Sequence, residues 1–230
     1  MTVTGTAPDG RHGPHVLVES VDVPVVADDD RHHLSRVLRL RDGDPITVGD
    51  GAGRWRPCRW GGTVEPMGEI VEVAEPSPRL GVAFALIKGG RPELVVQKLV
   101  ELGVDDIRPF AAERSVVRWD DAKAAKNQQR LERVAREAVM QCRRAWLPTV
   151  HPPATFDEVV SLPGASRADM GGEAVSLTSP TVLIGPEGGW TDAERAVEIP
   201  TVRLSTAVLR AETAAITAGA LLAALRDLRH

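Results

Sequence analysis

The chain has 230 residues, 43% hydrophobic and 26% charged, enough for one large or two modest soluble domains. Two cysteines, Cys58 and Cys142, exclude a disulfide scaffold and a cysteine-based zinc site, and both read as small core hydrophobes. The net charge of −4 excludes a protein that is basic all over, and with no tyrosine and three phenylalanines an aromatic stacking platform for single strands is not expected.

The charge is unevenly spread. Residues 31–59 carry Arg31, Arg36, Arg39, Arg41, Arg54, Arg56 and Arg59 against three aspartates. Residues 123–144 carry seven Lys or Arg against Glu132 and Glu137. Two such concentrations in an acidic chain point to a polyanionic partner, although each alone reads as a solvated face. No apolar run nears the roughly 20 residues that span a bilayer. The opening MTVTGTAPDGRHGPH lacks the apolar centre of a signal peptide, so a cytoplasmic location is expected.

In chain order, HVLVES, DPITVGD and GEIVEVAE are short β-branched runs bounded by turn residues and predict strands in a small β-barrel-like first domain over residues 1–75. Between the first two, Asp28–Asp30 open a helical segment in which Leu34, Val37 and Leu38 share one predicted face. GDGAGRW predicts a turn between two strands. EPSPRL, residues 75–80, marks the boundary to a second domain over 76–230.

After it, LGVAFALI predicts a strand buried on both faces, and Lys88-Gly89-Gly90 a loop. A helix begins near Pro92, with Val95, Val96, Leu99 and Val100 as its apolar stripe and Gly103 beyond its end. DDIRPF predicts a strand, and residues 121–143 a helix with Leu131, Val134 and Ala138 inward. TVLIG (181–185) and TVRLS (201–205) are further strands, the stretch between Pro163 and Thr181 reads as a loop, and AETAAITAGALLAAL is a closing helix rich in small residues. Strands alternating with helices predict an α/β fold with a mostly parallel sheet.

Two motifs carry chemistry. Ile184-Gly185-Pro186-Glu187-Gly188-Gly189-Trp190 takes a buried strand into a glycine turn, which lets backbone approach a ligand at the carboxyl end of the strand. Thr191-Asp192-Ala193-Glu194 has the form of a capping box. Arg203-Leu204-Ser205 through Leu209-Arg210-Ala211-Glu212-Thr213 repeats the plan, strand to loop to helix. Gly185 to Gly189 is not G-x-G-x-x-G, which argues against a dinucleotide-dependent oxidoreductase. His32 and His33 are adjacent, share no helix face and have no accompanying ligand pattern, so no metal site is expected.

With these motifs stand His33-Leu34-Ser35-Arg36-Val37-Leu38-Arg39, Lys88, Gln97–Val104, Glu113-Arg114-Ser115, and Gln141 with Arg144, in order over nearly the whole chain. Together they resemble the bacterial small-subunit (16S) ribosomal RNA uracil-N3 methyltransferases of the trefoil-knotted SPOUT superfamily. The resemblance implies a PUA-like RNA-binding β-barrel, then a SPOUT domain holding S-adenosylmethionine (SAM) in a C-terminal knot. It also implies a homodimer acting on 16S rRNA or the assembled small subunit.

Carried over residue by residue, the cofactor set is Met170, Gly171, Ile184, Gly185, Glu187, Gly188, Leu204, Ser205, Leu209 and Ala214. The RNA set is Arg36, Arg39, Lys88, Arg114 and Arg144. Ser205 stands where the family favours glycine, and Met140 where it favours an acid. Arg210 is the catalytic candidate, placed to stabilise the anion that forms when uracil N3 loses its proton. A phosphate clamp, or a salt bridge to Glu212 or Glu187, is its other reading, and no general base is named. N3 lies on the Watson–Crick edge, so the base must be unpaired or flipped. Ribose 2′-O methylation within the superfamily and a non-catalytic RNA-binding protein are the competing functions.

Overall fold

A turn closed by one carboxylate organises the N-terminal sheet. Asp50 Oδ1 accepts from the backbone N–H of Ala52 and of Arg54, at 2.8 and 3.0 Å, where GDGAGRW predicts the turn. It joins β3 (Pro45–Gly49) to β4 (Arg54–Arg59) as an antiparallel pair. The computed structural model describes residues 2–88 and 91–229; Gly89 and Gly90, part of the expected loop after Lys88, lie outside the described residues.

With β1 (Thr2–Thr4), β2 (His15–Leu17), β5 (Glu65–Pro66) and β6 (Ile70–Glu72), these strands make one six-stranded sheet in the order β1-β6-β4-β3-β2, with β5 beside β4. The unit comprises Met1–Glu75 together with Arg136–Leu147. Arg136 joins the second segment to the first through Asp30, at 2.7 and 3.2 Å, and through the Leu17 carbonyl at 2.9 Å. Trp146 Nε1 donates to the Val73 carbonyl at 3.0 Å. Val16, Ile46, Val48, Cys58, Trp60 and Ile70 lie in the core, and burial pushes the Cys58 thiol up to about 11, as suits an inert hydrophobe.

The segment between β2 and β3 departs from the predicted helix. A short α1 (Asp28–His32) passes into a π-helical turn over His33–Val37, and the Leu38 N–H reaches the His33 carbonyl at 3.1 Å. An i→i+5 turn is wider than an α turn, so residues three and four apart no longer share a face. Leu34 is buried, whereas Val37 is 63% and Leu38 46% exposed.

The second unit, Pro76–Ala135 with Pro148–His230, is built on an all-parallel sheet. Its strands are β7 (Gly81–Ala85), β8 (Asp106–Ala111), β9 (Thr149–Val150), β10 (Ala154–Thr155), β11 (Ala165–Ala174), β12 (Thr181–Ile184) and β13 (Thr201–Arg203). They run in the order β10-β8-β7-β12-β11-β13, with β9 beside β8. Every residue of β7 is buried, as its unbroken apolar run predicts for a strand covered on both faces.

The helices of this unit are α2 (Arg91–Glu101), α3 (Asp121–Cys142, in this unit through Ala135), α4 (Phe156–Val160), α5 (Asp192–Ala196) and α6 (Ala211–Asp227). In α2, Val95, Val96, Leu99 and Val100 are buried. In α3, Leu131 and Ala138 are buried and Val134 is half-buried. The small residues of α6 admit close packing on α2: a Cβ at Gly219 would stand 2.7 Å from the Leu99 side chain. Arg226, near the end of α6, donates to Asp105 Oδ2 at 2.5 Å and to the Gly103 carbonyl at 2.7 Å. The chain runs from β12 to β13 beyond β11, then returns through α6 against β7 and β12, in keeping with the knotted α/β domain that the resemblance implies.

β11 corrects the sequence reading. Ala165–Ala174 is mostly polar and contains glycine, which reads as loop, yet it is a ten-residue strand. Its register against β13 breaks: Ala168 and Glu173 both face Val202, so residues 169–172 bulge out of the sheet.

Candidate functional site

Three loops converge at the carboxyl ends of adjacent strands. The first leaves β12 as Gly185–Trp190. Trp190 is buried under it, stacked on Phe110 with ring centroids 6.2 Å apart, and its Nε1 donates to the Ala168 carbonyl at 2.9 Å. Gly185 lies over that indole, where a Cβ would stand 2.8 Å from the ring, so this position needs glycine. The capping box then opens α5: Glu194 Oε2 accepts from the Thr191 N–H at 2.8 Å, and Thr191 Oγ1 accepts from the Glu194 N–H at 3.2 Å. Glu194 Oε1 also accepts from the Glu113 N–H at 3.0 Å, joining this turn to the loop after β8.

The second loop is the bulge of β11. It brings Asp169 and Met170 beside the glycine turn, and Asp169 pairs with Arg195 at 3.2 Å. The third leaves β13 through Leu204 and Ser205, whose Oγ accepts from the Ala207 N–H at 3.1 Å, and ends at Arg210 before α6. Arg210 is extended (φ −66°, ψ 154°) and no side chain caps the helix there, so the first N–H groups of α6 are open to a ligand.

The three loops enclose a cavity of about 580 Å³. Met170, Ile184, Gly185, Glu187, Leu204, Ser205, Leu209, Arg210 and Ala214 line it. Gly171 and Gly188 belong to the same loops but do not line it. Gly171 looks into open space at the crest of the bulge, and a Cβ on Gly188 would face Arg114 at 3.2 Å.

Sequence reasoning missed Arg91. From the start of α2, its Nη1 donates to Glu187 Oε1 at 2.7 Å, and its Nε lies 3.7 Å from Glu212 Oε1. Glu212 Oε2 is buried with no partner among the described residues. Arg91 thus holds both carboxylates that the salt-bridge reading of Arg210 requires. Among the described residues Arg210 makes no ion pair, and its side chain is exposed on the cavity wall. No local pattern marks Arg91; only the fold brings it to Glu187 across 96 residues of sequence.

The RNA candidates divide between the units. Arg36 and Arg39 are exposed in the first, on and just past the π-helical turn, and Arg39 takes the left-handed conformation (φ 56°). Arg144 is half-buried in that unit. Lys88 and Arg114 are exposed in the second. Arg114 has a structural task as well: Nη1 donates to the Gly188 and Trp190 carbonyls, each at 3.3 Å, bracing the glycine turn from outside. His32 and His33 are exposed, and among the described residues no three His, Cys, Asp or Glu side chains gather as a metal site.

A family model described as an RNA methyltransferase domain matches residues 75–223, and one described as an RNA methyltransferase PUA domain matches residues 26–59. The chain is similar to ribosomal RNA small subunit methyltransferase E of Synechocystis, at 33% identity over 85% of this chain and 71% of that protein. The solved ribosomal RNA small subunit methyltransferase E of Neisseria gonorrhoeae, bound to S-adenosyl methionine, superposes with a TM-score of 0.78 at 28% identity, over 94% of this chain and 98% of that one. A methyltransferase from Legionella pneumophila, in complex with the bound cofactor SAM, gives a TM-score of 0.79 at 28% identity, over 91% and 96%. A domain match across most of the chain and a relative similar over most of its length establish the kinship: the chain belongs to the RNA methyltransferase family that includes ribosomal RNA small subunit methyltransferase E.

Proposed function

We propose that this protein methylates N3 of a uridine in 16S ribosomal RNA, with SAM as methyl donor. The observation that carries the reading is the cavity at the carboxyl ends of β11, β12 and β13. At about 580 Å³ it falls within the ordinary range for small-molecule sites. Its walls suit SAM: Ile184, Leu204, Leu209 and Ala214 offer apolar surface, and the glycine turn and the open start of α6 offer backbone N–H groups. Bound there, SAM supplies an electrophilic methyl group on a sulfonium.

The chain's own residues orient and stabilise. Gly185 lets the turn close over Trp190, and Arg91 and Arg114 hold that turn from either side, so the cavity wall is fixed before a ligand arrives. Uracil N3 becomes a nucleophile only when its proton leaves. Arg210, exposed and without an ion pair among the described residues, is free to stabilise the negative charge that then spreads onto the uracil oxygens. Glu187 is occupied by Arg91 and serves to hold the loop.

The target base reaches the cavity unpaired or flipped out. In this reading residues 1–75 form the PUA-like RNA-binding domain, with 136–147 packed into the same unit, and the rest of residues 76–230 form the methyltransferase domain. Arg36, Arg39 and Arg144 in the first unit, and Lys88 and Arg114 in the second, contact phosphates. The resemblance supports a homodimer and a cytoplasmic site of action; among the described residues no helix is long and apolar enough to cross a membrane.

The test is transfer of tritiated methyl from SAM to small ribosomal subunits and to naked 16S rRNA, taken from cells lacking the activity. Label in the RNA of either substrate is the expected result. SAM binding without label in either overturns the reading in favour of a binding protein on this fold.

A further inference from the structure

We infer that a second cavity in the methyltransferase unit is a nucleotide subsite, which holds an RNA residue neighbouring the target uridine by stacking its base on Trp119. The inference rests on the proposed RNA substrate. The cavity is about 470 Å³, and Lys88, Pro92, Glu93, Trp119, Lys123 and Asn127 are among its walls. It opens past the carboxyl end of β7, the strand paired to β12, whose own carboxyl end carries the cofactor cavity. The two cavities adjoin across the first turn of α2: Arg91 lines the first, and Pro92 and Glu93 the second. A strand with one nucleotide over the first cavity can therefore place a neighbouring one over the second.

The chemistry of the walls selects a nucleotide. Trp119 is half-buried, and its indole N–H makes no hydrogen bond among the described residues, whereas Trp190 in the same unit spends its N–H on the Ala168 carbonyl. A ring not spent on the core is available for stacking, which every base can offer. The Lys88 and Lys123 side chains are exposed and make no ion pair among the described residues, so they suit a phosphate. Arg130 does not compete for it, since its Nε pairs with Glu93 Oε1 at 2.7 Å. Glu93 Oε2 is buried with no partner among the described residues, an acceptor available to an N–H on the edge of the stacked base. A protein partner would match neither the twin free lysines nor the lone ring as well.

The test uses the full chain, a fluorescein-labelled single-stranded oligoribonucleotide of eight nucleotides containing uridine, and unmethylated small subunits. Trp119→Ala weakens oligonucleotide binding about tenfold or more, Trp119→Phe restores most of it, and SAM affinity by calorimetry is unchanged. Lys123→Gln lowers the slope of log affinity against log salt by about one. On subunits, Trp119→Ala raises KM and leaves kcat near that of the parent. Parent-like oligonucleotide binding by Trp119→Ala and Lys123→Gln, from a parent that methylates subunits, overturns the subsite alone. A parent that binds SAM but neither binds nor methylates RNA overturns the functional reading, and the subsite with it. Lys123→Gln changes an exposed side chain, so it reports even if Trp119→Ala folds poorly.

Discussion

Arg91 Nη1 donates to Glu187 Oε1 at 2.7 Å, tying the first residue of α2 to the glycine turn that walls the cavity beyond β12. The pair is about half exposed, so its share of folding stability is under about 1 kcal/mol. Its effect belongs to loop position. Arg91→Ala is expected to weaken SAM binding about five- to tenfold with little change in Tm, and Arg91→Lys to fall between. Calorimetry and thermal unfolding on the same preparations separate the two effects; a lowered Tm with unchanged SAM affinity would make Arg91 a purely structural brace.

Arg210 lies on the same wall with no carboxylate to neutralise it among the described residues. Arg210→Ala is expected to lower kcat by about 10²–10³-fold while sparing SAM affinity, the size seen when one preorganised donor to a developing anion is lost. Single-turnover transfer beside SAM calorimetry checks this. Equal loss of SAM binding would reassign Arg210 to the cofactor pocket.

RNA affinity should fall steeply with salt, because each phosphate neutralised releases counterions. Arg36→Ala and Arg39→Ala each reduce the log–log slope by about one and weaken binding evenly across sequences. Fluorescence anisotropy over a salt series measures it, and an unchanged slope removes that arginine from the interface.

His15 makes the first unit acid-sensitive. Burial, followed by the charge of Arg143, pushes its pKa from 6.5 down to about 4, while its Nδ1 pairs with Thr47 Oγ1 at 2.9 Å. The unfolded chain takes up this proton below pH 6.5 and the folded chain does not, so the contribution is fully present above 6.5 and is lost as pH falls towards 4. The loss reaches at most about 3 kcal/mol. His15→Gln should flatten this part of the profile, read as the difference from the parent in urea unfolding between pH 7.5 and 4.5.

Asp105 and Arg226 are both nearly buried and meet at 2.5 Å at the end of α6. Arg226→Met leaves the carboxylate buried beside the Leu80 N–H, its donor at 2.9 Å, and should cost about 3–5 kcal/mol. Thermal unfolding should show a Tm about 10 °C lower, and Asp105→Asn added to Arg226→Met should recover part of it. A Tm unchanged by Arg226→Met would show the pair to be energetically idle.

The buried strands were legible because β7 and β12 are covered on both faces and written as unbroken apolar runs. The capping box of α5 was legible because its partners sit three residues apart. β11 was not, because residues 169–172 bulge from the sheet, with Asp169 and Met170 on the cavity wall. The π-helical turn was missed because a spacing of three and four residues presumes an α-helical pitch. Residues 136–147 pack with the first unit through Arg136 and Asp30, a contact across 106 residues that no local pattern encodes. Arg91 was lost for the same reason: its partners are fixed by topology.

The central claim is the chemistry at N3. Purified protein is incubated with deuterated-methyl SAM and small subunits lacking the modification, and the RNA is digested and resolved by nucleoside mass spectrometry. The account predicts labelled 3-methyluridine, lost in Arg210→Ala. Label on a ribose, or on any base position other than uracil N3, would contradict it.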